Sequence, residues 1–199
     1  MNKDLHGALR AGDADRFHAL CRGGDLPSLS GETFSDLALS GFDFSGMDLS
    51  NTEFAGCLLE GCSFDGVDLS GAYFDGSTVV GATFDGATIE GLAVDGGVWK
   101  QCRLIGLAWT DSEWTGVEWA QCTIEDADWS GASISSITVS GGRLARVGGS
   151  DVTLNGVVLR EVETADVDTA GFSLSACTAT PGTEPAGFKA LSGRRKRIL

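Results

Sequence analysis

From Phe34 to Leu174 every fifth residue is apolar, save Gly149, Thr164 and Thr169, and no insertion or deletion disturbs the phase. The series opens with alternating Phe and Leu from Phe34 to Leu69. It passes through Trp99, Trp109, Trp114, Trp119 and Trp129, and closes with Leu154, Leu159 and Leu174. A period of five fits neither the 3.6-residue turn of a helix nor the two-residue alternation of a strand. It marks a repeat, which has to be read before any secondary structure. The residue two before each of these centres is small or aliphatic, as at Cys57, Cys62, Val67, Ala72 and Ala82, whereas the other three are mostly Ser, Thr, Asp, Glu or Gly. Two inward and three outward positions in five suit a chain that turns a corner every five residues.

Four such sides bring the chain back over itself after 20 residues, and the identities of the centres support that number. Phe34, Phe54 and Phe74 fall in one column, Phe44, Phe64 and Phe84 in another, with Leu39 over Leu59, Leu49 over Leu69, Trp99 over Trp119 and Trp109 over Trp129. Like side chains stacked coil upon coil fill a narrow solenoid core. Glycine recurs in one phase from Gly41 to Gly96, as a repeated turn with a permissive backbone requires. The pattern therefore predicts an all-β solenoid of about seven coils, about 34 Å long at the spacing of adjacent strands.

The stretch FSGMDLSNTEFAGCLLEGCSFDGVDLSGAYFDG, residues 44–76, resembles the A(D/N)LXX tandem repeat of pentapeptide-repeat proteins, and the resemblance extends over roughly residues 30–178. It implies a right-handed quadrilateral β-helix with one pentapeptide to each side. Some members of that family resemble DNA, bind DNA gyrase and confer quinolone resistance, typically as dimers joined through a C-terminal helix. Here the C-terminus is Pro/Gly-rich and basic, without a convincing amphipathic helix. Tryptophan centres are bulkier than the usual Leu or Phe, and Val147, Val152, Val157, Val162 and Val167 replace the small inner residue of the later coils. An exchange of volume between inner positions accounts for both.

The ends depart from the repeat. Residues 1–28 read as a small N-terminal helical cap: Leu5, Ala8 and Leu9 form one apolar edge and Phe17, Leu20 and Cys21 another. Gly12 stops the first helix and Asp13 caps the second. Residues 29–178 are the repeat domain, and 179–199 read as a flexible basic tail ending in Arg194, Arg195, Lys196 and Arg197.

The chain of 199 residues is 42% hydrophobic. It has neither a membrane-length apolar run nor a leader-like start, which predicts a cytoplasmic location without membrane contact. Five of the six cysteines occupy the inner slot two before a centre and read as small buried hydrophobes, and no CxxC occurs. No metal site and no cofactor are expected. His6 and His18 both lie in the cap, so no histidine-based triad forms in the rod, and no nucleophile, phosphate or dinucleotide motif is present. No catalytic residues are assigned.

Charge directs the reading toward binding. The net charge is −14, but residues 29–178 hold 23 acids against five bases. Folded modulo 20, the side centred on Leu49, Leu69, Ile89, Trp109 and Trp129 carries Asp48, Asp68, Glu90, Asp111, Asp128, Asp151 and Asp168 and no base. The side through Phe44, Phe64 and Phe84 has as many acids, interrupted by Arg103, Arg143 and Arg146. On the side through Leu39 and Leu59, the outward positions Leu58, Val80, Val98 and Val158 make a candidate apolar contact stripe. The acids serve either solubility or imitation of a nucleic-acid backbone before a basic groove. The sequence thus points to a non-enzymatic protein that binds and blocks a partner. The favoured form is an immunity protein neutralising a basic, DNA-acting toxin or enzyme. A DNA mimic acting on gyrase and a structural adaptor are the alternatives. Direct nucleic-acid binding to the acidic rod is disfavoured.

Overall fold

A computed structural model of the chain describes residues 3–22 and 26–179. Ala179 ends the last strand, and the rest of the span read as a basic tail lies outside the described residues. Two helices, α1 (Lys3–Ala11) and α2 (Ala14–Cys21), precede a solenoid of about seven coils in which every strand pairing is parallel. Asp13 caps α2 by accepting the Arg16 N–H at 2.9 Å.

The 20-residue step is the register of the sheets. On the first side Phe34 pairs with Phe54, Phe54 with Phe74 and Trp114 with Ile134, in an eight-stranded sheet from Thr33–Ser35 to Phe172–Ser175. The second side is a further eight-stranded sheet, from Ala38–Ser40 to Thr178–Ala179. The third and fourth begin as single bridges, Asp43–Ser63–Thr83 and Asp48–Asp68–Thr88. The third becomes a four-stranded sheet from Arg103–Ile105 onward, and its strands Thr123–Asp128 and Arg143–Gly148 run on around the corner into the fourth side.

The corners explain the glycine phase. One residue in each five, two past the centre, has positive φ, from Asp36, Gly41, Gly46, Asn51 and Gly56 on to Gly156 and Ala176, with Gly171 the exception. Residues other than Gly, Asn and Asp are disfavoured there. The early coils answer with Gly, whereas the later ones place Gln101, Asp111, Gln121, Asp126, Ser136 and Arg146 at the same corner.

The interior is a continuous aromatic spine. Phe17 of α2 closes its end against Phe42 and Phe44, at ring separations of 5.2 and 5.3 Å. Phe44, Phe64 and Phe84 then stack at 5.2 and 4.8 Å, and the line continues through Trp99, Trp114, Trp109 and Trp129 to Phe172. Phe172 belongs to the inner slot of the first side, yet its ring lies against Trp129 at 6.0 Å, where the fourth-side centre has failed at Gly149 and Thr169. This is the exchange of inner volume that the later coils predicted. It is incomplete: an apolar cavity of ≈ 20 Å³ remains among Trp119, Trp129, Leu144, Leu154 and Phe172.

The inner slot also does hydrogen-bonding work. Cys57, Cys62, Cys102, Cys122 and Cys177 each donate the thiol to a carbonyl 23 residues back, at 3.1–3.5 Å, and Ser77 and Thr52 do the same at 2.9 and 3.1 Å. Cysteine here is a small buried group with a donor that the coil below satisfies.

Gly97 shows how closely that slot is built. Its φ is +83°, and a Cβ would lie 2.1 Å from the Ser77 carbonyl oxygen, whereas a Cβ on the corner residue Gly86 would meet nothing within 4 Å. We expect Gly97→Ala to destabilise the chain by about 2–4 kcal/mol and Gly86→Ala by only about 1 kcal/mol, read as urea midpoints at unchanged slope. Equal losses would show that backbone conformation alone, without the close approach, sets the cost.

Candidate functional site

Side chains two residues apart on one strand of a parallel sheet point to the same face, and the 20-residue register lines up the outer ones in rows about 4.8 Å apart. On the fourth side those rows bring together the seven acids read from the sequence, all of them exposed. Asp48, Asp68, Asp128 and Asp168 stand just before the centre position, with Asp48 bridged to Asp68. Asp111 and Asp151 sit at the corner, and Glu90 follows its centre.

Most of these acids are also turn-formers. Asp48, Asp68, Asp128 and Asp168 each accept the backbone N–H two residues on, at 2.9–3.0 Å. Asp48 takes the hydroxyls of Ser50 and Ser28 as well, and these hydrogen bonds hold its carboxyl below the usual range. Asp111 and Asp151 adopt φ of +54° and +57°, where Asp is among the better tolerated residues. Among the seven, Glu90 alone has no such backbone role.

The first side adds a set of acids that the modulo-20 reading did not tally. Glu53, Asp75, Asp95 and Glu113 project from its outer face, with Glu32 and Asp36 at its start. Asp75 pairs in register with Asp95, and Tyr73 stands in the row between Glu53 and Glu113. Asp75, Asp95 and Glu113 make no side-chain hydrogen bond or ion pair among the described residues, so their charge is open to solvent or a partner. Burial, then the carboxylates of Asp75, Asp95 and Glu53, pushes the Tyr73 hydroxyl upward. The signal was present in the sequence: the same folding by twenties places all six acids on one side.

The first and fourth sides share a corner. Together they carry thirteen acids and no Lys or Arg, while all five bases of the rod lie on the other two sides. On the third side the bases are engaged. Arg103 binds Asp85 at 2.6 Å, Arg143 binds Glu125 at 2.8 Å and also Glu163, and Arg146 reaches both Glu125 and Asp126 at 2.8 Å. Its three arginines are thus all paired, although Asp43, Asp65 and Asp166 on the same side form no ion pair among the described residues.

The predicted apolar stripe is only partly gathered. Leu58 and Val98 flank Thr78 in one row, and Val80 lies beyond Thr78 on the same strand. Val158 is separated from Val98 by Glu118 and Thr138. Leu58 is 41% exposed, and the three valines are half-buried.

His18 docks the cap by accepting the Asp43 N–H at 2.9 Å, and His6 lies 3.7 Å from Glu32 beside a surface recess with Arg10 and Phe34. No group of three His, Cys, Asp or Glu able to hold a metal occurs among the described residues, and no described helix is long and apolar enough to cross a membrane.

The molecule is therefore a β-solenoid whose sides are five residues long and whose outer faces are organised by charge. Residues 29–91 carry pentapeptide repeats: the family model of that description matches eight copies, over residues 29–66 and 52–91. No curated relative matches it. Among solved structures it is similar to trypsin-treated QnrB1, a plasmid-mediated fluoroquinolone resistance protein, at 22% identity, covering 79% of this chain and 87% of that one with a TM-score of 0.38. It is also similar to HetL, involved in heterocyst differentiation regulation in Nostoc sp. strain PCC 7120, at 15% identity, covering 79% and 78% with a TM-score of 0.38. A pentapeptide repeat protein of the Arabidopsis thaliana thylakoid lumen matches at 18% identity, covering 60% and 70% with a TM-score of 0.20. Identities this low carry nothing about activity or partner.

The third-side network has a consequence for pH. Hydrogen bonds from Arg146, and for Glu125 also from Arg143, hold the carboxyls of Glu125 and Asp126 below their ordinary values. A carboxyl lowered on folding stabilises the protein above its unfolded value, and that contribution vanishes as pH falls through the folded one. Arg146→Gln should therefore lower the melting temperature slightly near neutrality, and the difference from the parent should shrink as pH falls below the ordinary carboxylate range and close once both carboxyls are protonated in the folded chain. A difference that stays constant with pH would sever the network from stability.

Proposed function

We propose that this protein is a non-catalytic binding rod that blocks a basic, nucleic-acid-acting partner, and that its biological form is an immunity protein neutralising a DNA-directed toxin. One observation carries the reading: two adjacent sides of the rod hold thirteen acids and no base. Spread over about 34 Å, that is roughly one charge per 2.6 Å, against one per about 1.7 Å for duplex DNA. The line charge is thus below that of DNA but of the same order, enough to attract a groove built for phosphate with fast, salt-sensitive association. The acids that also shape turns do not weaken the idea, since a carboxylate accepting a backbone N–H keeps its charge.

The first side supplies the sharper argument. Asp75 and Asp95 stack in register without a counter-ion, and like charges facing each other across a sheet are unfavourable. Turn geometry accounts for Asp48 or Asp128; it does not account for Asp75, Asp95 or Glu113 in mid-face. A flat acidic face with one tyrosine, and Leu58, Val80 and Val98 on the neighbouring side, fits a partner that is basic at its centre and apolar at its rim.

The test begins with partners captured from the native host at low salt, each then titrated against the parent chain, a variant with Asp75, Asp95 and Glu113 changed to Lys, and a chain lacking residues 1–28. The proposal expects affinity to fall steeply with salt, the charge reversal to weaken binding at least about tenfold, and the parent chain to inhibit the partner's nuclease activity. Binding that survives reversal but fails without residues 1–28 would make the protein an adaptor working through its cap.

A further inference from the structure

The inner slot of the third side runs Phe42, Cys62, Ala82, Cys102, Cys122, Gly142 and Val162, one residue per coil. Cys102 and Cys122 are neighbours in it, fixed by the register of Arg103 with Thr123 and by the Thr123 N–H bond to the Cys102 carbonyl at 2.9 Å. Adjacent parallel strands stand about 4.8 Å apart, inside the Cα separation of about 4.4–6.8 Å that a disulfide spans. Both thiols are free and buried, at 1% and 3% exposure. The residues above and below the pair, Gly142 and Ala82, are the smallest in the slot, and Gly142 packs closely on the Cys122 backbone. No other described cysteines are stacked this way: Cys57 and Cys62 belong to different sides, and the slot below Cys177 holds Val157.

We propose that Cys102 and Cys122 form a reversible disulfide, a redox staple that ties two successive coils together where the tryptophan ladder begins. The co-reactant is a small-molecule disulfide of the glutathione class. The Cys122 thiolate attacks one of its sulfurs, forming a mixed disulfide and expelling a thiolate that takes up the proton Cys122 gave away. Cys102, deprotonated in turn, attacks the Cys122 sulfur and expels the second small thiol. Two protein thiols are oxidised and one small disulfide is reduced to two thiols. Cys122 and then burial push the Cys102 thiol up, while the Cys102 side chain holds the Cys122 thiol down. Burial makes entry depend on local opening, so the staple closes slowly and then resists reduction.

Closure removes the S–H donors that now reach the Val79 and Trp99 carbonyls at 3.4 and 3.1 Å. It also sets a disulfide, a quencher of indole emission, beside the Trp99 backbone. Serine is a safe control in this slot, since Ser77 occupies the equivalent position and donates to the Phe54 carbonyl at 2.9 Å.

The full chain and its Cys21→Ser variant, which lacks the one described thiol that is only partly buried, would be incubated natively with oxidised glutathione. Intact mass would then be measured after unfolding and alkylation without reductant. The expected product has lost two hydrogen atoms, yields a Cys102–Cys122 cross-linked peptide, emits less tryptophan fluorescence and recovers with dithiothreitol. Cys102→Ser and Cys122→Ser chains should fold and give none of these. If both thiols remain alkylatable after prolonged oxidation, or the cross-link joins other cysteines, the staple does not exist. A glutathione adduct confined to Cys21 would have the same meaning.

Discussion

A left-handed residue at nearly every corner, Gly171 excepted, is the constraint on which the other features depend. It turns the chain after five residues, so a strand is only about three residues long, with its middle side chain inward. Isolated strands of that length have no stability of their own. They persist because each is paired in register with the coil beside it, and the register holds only while every corner takes the same number of residues. An insertion at one corner would shift every later centre out of the core, and none occurs between Phe34 and Leu174. At three of the non-glycine corners, Asp126, Arg146 and Asp166, the pairing lengthens around the turn. Asp126 and Arg146 lie within six-residue strands that continue around the turn and add ladder hydrogen bonds.

The same register has opposite consequences inside and outside. Inside, like over like is favourable: Phe64 stacks on Phe84 at an interplanar angle of 7°, and a buried thiol finds the carbonyl of the coil below. Tryptophan strains this arrangement. The indole N–H groups of Trp99, Trp109, Trp114 and Trp129 have no hydrogen-bond partner, each a loss of about 1–3 kcal/mol set against a large apolar area. Outside, like over like concentrates charge. The third side resolves this by setting Arg among acids of the neighbouring coils: Arg143 meets Glu163 in register and Glu125 on the diagonal. The first side, Asp75 over Asp95, leaves it unresolved.

The period alone made the fold readable, because a repeat encodes its own contacts: residues 20 apart touch. The cap was legible for a different reason, since Gly12, Asp13 and the apolar edge around Phe17 carry ordinary helix signals. Breaks in the pattern were harder. Gly149 and Thr169 announce missing volume but do not say what replaces it, and Phe172 comes from a different side of the coil. Gly97 looks like one more turn glycine, yet its demand is the 2.1 Å approach to Ser77, a distance that exists only between coils. Among the candidate site residues, composition could not separate an acid that shapes a turn from one that does not. That distinction requires knowing whether an N–H lies two residues on within reach, as for Asp128, or only solvent, as for Glu113.

This distinction bears on how such a rod acquires a binding face. Acids at turn slots come almost free, because the backbone itself favours Asp there, so they accumulate on any side whether or not a partner exists. Acids on the outer face of a strand, without a turn to hold, have no such support. Glu, Asp and unpaired like charges are all disfavoured in a parallel ladder. Placing Asp75, Asp95 and Glu113 there costs some stability in every coil concerned, and the fold offers no return for it. The acids that the architecture cannot explain are therefore the better guide to the partner's position, even though the architecture-bound acids beside them enlarge the same field.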